Sequence, residues 1–232
     1  MTNYENCQAF SAATCQYEPP NQIRSALSVT ILGMSVVRPR RTNNEEALAR
    51  VVEGARRCFA ARGVARTRMD DVAEAAGMAR QNVYRYVSGR EELVELAIIE
   101  RLREFRDRLL TGLDVSASDL PSAIVEHVIA SIRTGREDPE FLYLTDALPR
   151  LRLNLLVGGP ESHEIVRQSF EPLIRRARME GALRTDASED EMVEWIQGTL
   201  TWLTPRTDLD ETALRRMIEK FTLPVLLKRP PA

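Results

Sequence analysis

The chain is poor in the side chains from which most catalytic and metal sites are built. Its 232 residues include two His and three Cys, and Cys7, Cys15 and Cys58 stand at no metal-ligand spacing. An odd cysteine count without secretory features argues against a disulfide framework and for a reducing, cytoplasmic compartment. The sequence has no Gly-rich phosphate loop, no nucleophile elbow and no zinc-ligand cluster, so neither a cofactor nor a metal is expected and an enzyme is a poor reading. His127, at the edge of the stripe Leu120, Ile124, Val128, reads as a satisfied, partly buried side chain, and His163 as a solvated residue at a helix start. No apolar run approaches the roughly 20 residues of a membrane span. Residues 26–37 are too short for a signal peptide and lack its basic start.

What the chain does have is a lopsided charge. The formal net charge is only -2, but residues 36–90 hold twelve Arg against six Asp and Glu, while residues 91–232 hold nineteen Lys and Arg against twenty-six acids. A local basic patch attracts phosphate and steers association even where the whole-chain balance hides it.

Residues 67–93, TRMDDVAEAAGMARQNVYRYVSGREEL, lie inside that patch. Met69, Val72, Ala73 and Ala76 fall at three- and four-residue spacing and predict a short helix with one buried face. Gly77 tolerates positive φ and lets the chain reverse before a second helix over 80–87. That helix buries Val83 and Val87 and points Arg80, Gln81, Asn82 and Arg85 outward, a set suited to base edges in a major groove. Tyr84 and Tyr86 flank this face with phenol donors for phosphate. Thr67 with Asp70 fits a capping box for the first helix, or the Thr67 hydroxyl contacts phosphate instead. Helix, tight turn and helix make a DNA-binding unit, although the same pattern also serves plain packing.

These residues resemble the TetR/AcrR-type bacterial transcriptional regulators. RCFAARG, Thr67, DDVAEAAGM, VYRY and GREEL follow the family's order and spacing from Leu48 to Leu96. Ala79 stands where the family has a capping hydroxyl residue, Arg68 replaces the second of two hydroxyl residues, and Val87 replaces a Phe. The resemblance implies an all-α fold: an N-terminal three-helix helix-turn-helix DNA-binding domain over 43–95, followed by a larger helical ligand-binding and dimerisation domain over 112–228. A helix over 90–111 connects them, and its shift changes the separation of two DNA-reading heads. Arg90 takes the place of a phosphate-binding Lys, and an Arg fork serves phosphate equally well. The partners implied are a double-stranded DNA operator, a small-molecule effector and a second copy of the chain. Repression is the usual mode. An activator, or a non-specific DNA architectural protein, is the alternative, and the latter would need basic charge over its whole surface.

The remaining segments complete the expectation. Residues 1–42 are polar, broken by Pro19-Pro20, and read as a disordered or loosely docked extension; a start at Met34 fits the family's usual distance to the first helix. Arg38, Arg40 and Arg41 form either a minor-groove arm or a solvated basic tail. Asn43 or Asn44 caps a scaffold helix with the stripe Leu48, Val51, Val52, Ala55 and Phe59, ended by Gly63, and Cys58 beside the stripe is a small buried or half-buried side chain rather than a sensor. Beyond Gly112, Gly and Pro divide apolar helices that should enclose a pocket, with Phe141, Tyr143 and Arg150 as candidate lining and Arg152 beside them. The last three helices are placed at 162–180, 188–203 and 210–226. Broad apolar faces on the final two, holding Met192, Trp195, Ile196, Thr199 and Leu203, and Leu214, Met217 and Phe221, suit a four-helix dimer contact, the use the family makes of its last two helices.

Overall fold

The computed structural model describes residues 43–116 and 119–228. The extension, its arm Arg38, Arg40 and Arg41, and the alternative start at Met34 lie outside the described residues. Among those described, every regular element is helical apart from one antiparallel bridge between Leu183 and Leu227. None of these helices is long and apolar enough to cross a membrane.

Helix α1 (Asn43–Arg62) carries acidic residues in its first turn and Arg62 in its last, a placement that complements the helix dipole. It ends at Gly63, which takes φ 79°, and a 3-10 turn leads to α2 (Met69–Ala75). The expected Thr67–Asp70 capping box does not form. Arg68 is the N-cap, and its N–H donates to Asp71 Oδ2 at 2.9 Å. Thr67 is buried and donates its hydroxyl to the Gly63 carbonyl at 3.0 Å, a local side-chain bond that closes the 3-10 turn instead.

At the end of α2, Gly77 takes φ 65°. Its N–H donates to Glu74 O at 3.0 Å and that of Met78 to Ala73 O at 2.9 Å, the paired bonds of a Schellman stop. Helix α3 (Arg80–Val83) follows; it is one turn shorter than the periodicity predicts, because 84–86 continue as a turn rather than as α-helix. The crossing of α1 and α2 depends on Gly54. A Cβ there would stand 3.0 Å from Ala76 N and 3.2 Å from Ala75 C, so only a residue without one lets the backbones come this close.

Helix α4 (Arg90–Gly112) runs on from the head. Helix α5 (Leu120–Glu137) starts at Asp119, which accepts from Ser122 N, and helix α6 (Pro139–Asp146) at Asp138, which accepts from Phe141 N. In both, Pro occupies the first turn, where a missing N–H costs nothing. Helices α7 (Arg150–Val157), α8 (Pro160–Met179) and α9 (Glu189–Leu203) are divided at Gly158-Gly159 and at Gly181. Ser188 and Glu191 form the capping box of α9. Helix α10 (Glu211–Met217) widens into a π turn, Ile218–Thr222, ahead of Pro224, which has no N–H to continue the ladder, and ends as α11 (Leu223–Leu226).

Two hydrophobic clusters fill this arrangement. One joins α1, α2, α3 and the first half of α4 through Val51, Phe59, Val72, Val83, Leu93 and Ile98, and it takes in Leu144 and Leu148 from α6 and the turn after it. The other packs α5, α8, α9 and α10 around Ile129, Phe170, Met192 and Ile218. Helix α6 is expected by sequence within the second assembly, over 112–228, but its Leu144 is wholly buried in the first.

Candidate functional site

The packing of α3 sorts its side chains. Val83 and Val87 are buried in the head, which leaves Arg80, Gln81, Asn82, Tyr84 and Arg85 exposed on the opposite side. This is the expected reading face, with three separate chemistries: amide groups that match an adenine edge, guanidinium forks that match guanine, and a phenol. Arg80 is already engaged within the chain. Its Nη1 lies 3.1 Å from Asp70 Oδ2 and its guanidinium sits 5.7 Å from the Tyr84 ring centroid. The bond toward Tyr84 and the charge of Asp70 hold its proton more tightly than usual.

The expected phosphate contacts fare unevenly. Tyr84 is exposed, whereas Tyr86 is half-buried against the head cluster. Arg90 is exposed at the start of α4 but donates to Ala65 O at 3.0 Å. Thr67 lies inside the fold with its hydroxyl committed, so it presents nothing to a phosphate. Cys58 is buried as expected, and burial pushes its thiol pKa up, away from the thiolate that reacts.

A cavity of about 400 Å³ opens between α4, α5, α6, α7, α8 and α9. Its walls are chiefly apolar, with Leu102, Phe105, Phe141, Leu153, Ile165 and Phe170 among them. Phe105 and Phe141 meet at 5.5 Å between ring centroids, tilted by 59°. Of the sequence candidates, Phe141 and Arg150 do line it. Tyr143 does not: helical spacing turns it toward the head, where its hydroxyl is buried without a hydrogen-bond partner. Arg152 is also elsewhere, bonded to Glu91 at 2.9 Å and to Glu95 on α4.

The polar groups of the cavity follow a pattern. Arg106, Arg136 and Arg150 face it, and none of its lining residues is acidic. Arg136 is held by four backbone carbonyls in 203–209, including those of Leu203 and Arg206 at 2.9 and 2.6 Å, and so closes one wall. Ser169 presents its hydroxyl 3.0 Å from Nε2 of His127. His127 is itself buried, edge-on to Phe170 at 4.6 Å, and desolvation lowers its pKa to about 4, so it is neutral near pH 7. His163 is not simply solvated: Nδ1 lies 3.1 Å from Oε1 of buried Gln197, whose Nε2 donates to Val157 O and Ser162 Oγ.

The eight residues expected at a dimer contact divide in two. Met192, Ile196 and Leu214 are buried within the chain's own core, and Leu203, equally buried, also reaches the wall of the groove on the other face. Trp195, Thr199, Met217 and Phe221 lie on the other face and line a shallow apolar groove, together with Trp202, which the sequence reading missed. Trp195 is 49% exposed, Trp202 53% and Phe221 61%. Trp202 stands seven residues from Trp195 on one helix face, and that spacing was the available signal.

Residues 51–97 match the model of bacterial regulatory proteins of the tetR family. The chain is 27% identical over 179 residues to the HTH-type transcriptional regulator TtgR of Pseudomonas putida, over 71% of this chain and 84% of that one. A solved structure of a TetR-family transcriptional regulator from Pectobacterium atrosepticum is similar with a TM-score of 0.56 at 23% identity, over 82% of this chain and 100% of that one. RolR in complex with its ligand resorcinol gives a TM-score of 0.58 at 16% identity, over 79% and 88%. At these identities the two structures share the fold.

Proposed function

We propose that this chain, a DNA-binding transcriptional regulator of the tetR family by its helix-turn-helix, acts as a homodimeric repressor that a small apolar effector releases from an inverted-repeat operator. The observation that carries the reading is the exposed set Arg80, Gln81, Asn82 and Arg85 on a helix whose other side is anchored by Val83 and Val87. Two such helices related by a twofold axis read half-sites about 34 to 36 Å apart, or a multiple of that. The second copy is supplied by the groove holding Trp195, Trp202 and Phe221, because aromatic area this exposed favours burial against a like surface.

The cavity indicates the class of effector. Its apolar walls favour a molecule with little polar surface, and although Arg106 is paired with Asp107 at 2.7 Å, Arg136 and Arg150 with no acidic residue in the lining disfavour an organic cation. The neutral His127 behind Ser169 adds no charge. A neutral or anionic, largely apolar molecule is therefore the proposed ligand, and it releases DNA by binding better to a conformation that misfits the operator.

Selection of duplexes from a random pool by the purified chain tests this reading. Recovery of an inverted repeat, bound about a thousandfold or more tighter than unrelated duplex at physiological salt, is the expected result. Equal binding to all duplexes overturns it.

A further inference from the structure

The head and the cavity share helix α6, whose Phe141 lines the cavity while packing against the edge of the head cluster. Phe141 forms part of the cavity wall, packed against Phe105. Glu140, next to it, turns the other way and grips Arg56 of α1 with both carboxylate oxygens, from Nε at 2.6 Å and Nη2 at 2.8 Å. Arg56 is reached from α4 as well, where Glu104 accepts from Nη1 at 2.5 Å and from Nη2 at 3.1 Å. Arg101 then closes the ring by donating to Glu104 and, from Nε at 3.0 Å, to Asp138. Asp138 is the α6 cap, and its Oδ1 accepts from the N–H of Phe141 at 2.8 Å.

This cluster is not surface decoration. The Arg56 side chain is 13% exposed, that of Arg101 17% and that of Asp138 6%. Charges so far from water are tightly held by partners in fixed geometry and poorly tolerant of a partner's departure. The helix that carries them is short, and the N–H of its cavity-facing Phe141 is bonded to the same carboxylate that Arg101 holds. A molecule that shifts the α6 backbone at Phe141 therefore also shifts the carboxylates of Asp138 and Glu140. Tyr143, three residues along on the same side as Glu140, buries its hydroxyl toward the head with no hydrogen-bond partner among the described residues of the chain.

We propose that the bidentate Arg56–Glu140 pair is a latch through which occupancy of the cavity reaches the DNA-reading head, by way of α1. This rests on the effector reading above. When a ligand moves α6, Glu140 releases Arg56, which stays paired with Glu104 of α4, and α1 carries α2 and α3 to a different position relative to α6. The latch is a positioning device and touches neither ligand nor DNA.

The test uses the full chain, the duplex that the wild type selects, and 1-anilinonaphthalene-8-sulfonate as an apolar, anionic occupant of the cavity. In the wild type the probe is expected to weaken duplex binding about tenfold. In Glu140→Gln and Arg56→Gln that factor should fall below about threefold, while probe affinity, read by its fluorescence, stays near the wild-type value. Arg56→Lys keeps the charge but not the two-pronged grip, and an intermediate factor is expected. It also covers the case in which Arg56→Gln fails to fold. Arg133→Gln, which breaks the exposed pair with Glu211, should keep the full tenfold. A tenfold factor retained in Glu140→Gln and in Arg56→Lys overturns the latch alone. A probe that does not bind the wild type, or binds without loosening the duplex, overturns the effector reading and the latch together.

Discussion

The two hydrophobic clusters differ in grain. The head is packed largely with small side chains, Val51, Ala55, Val72, Ala73, Ala76, Val83 and Ala97, around Phe59. Its helices come close enough that Gly54 admits no Cβ without a shift. The other cluster uses larger groups, Ile124, Ile129, Ile132, Phe170, Leu173 and Met192, yet a cavity of about 400 Å³ lies beside it. Small residues bring helices into near-backbone contact and leave no slack, which suits the proposed role of the head in holding α3 side chains in register on DNA. Large residues spanning longer helices can leave a hollow, and a hollow is what a ligand requires.

The largest expected effect tests the tight side of this comparison. Phe59 is almost wholly buried in the head, and Phe59→Ala should cost about 3 to 5 kcal/mol in urea unfolding. A loss under about 1 kcal/mol would mean that the head can collapse around the gap and is not rigid in the sense argued. Next in size, Gln81→Ala or Asn82→Ala should cost on the order of 1 to 3 kcal/mol at a contacted base pair and leave unfolding unchanged. Unaltered base preference in both variants, measured by repeating the duplex selection, would remove α3 from its reading role.

Acid separates the two regions by chemistry, because both His residues lie outside the head. The folded-state pKa of His127 is lowered to about 4 from an ordinary 6.5. Between those values the unfolded chain binds more protons than the folded one, so stability falls as pH drops and levels off once pH passes below the folded value. From pH 7 to 5 the loss assigned to His127 is about 2 kcal/mol. His127→Gln should lack this component, and a wild-type-like pH profile in that variant would refute it. The smallest effect belongs to the hollow. Val166→Phe, which adds volume at the cavity wall, should change stability by under about 1 kcal/mol and reduce binding of the anilinonaphthalene probe. A loss as large as that for Phe59→Ala would show the cavity half to be as intolerant as the head.

Much of the helix pattern was legible because its signals are local. Gly63, Gly77 and Gly181 stand at positive φ where helices stop, and Asp119, Asp138 and Ser188 accept the capping bonds where helices begin. The inward Val83 and Val87 and the outward Arg80, Gln81 and Asn82 follow from 3.6-residue periodicity against one neighbour. Thr67 was misread because two caps compete over three residues, and the 3-10 turn that takes its hydroxyl leaves no mark on spacing.

The order of helices, their breaks, the charge split and the composition of α3 were therefore determined by the sequence alone, since each depends on residues a few positions apart. Which of two apolar stripes on a wide helix turns inward was decided only by tertiary packing. Met192 and Ile196 are buried while Trp195 and Trp202 stay exposed, and both sets have helical spacing. The cavity, with walls as far apart in the chain as Leu102 and Thr204, and the Arg56–Glu140 grip, between residues 84 positions apart, are likewise tertiary. Periodicity reports that a helix has a face to bury; it carries no term for the helix that comes to meet it.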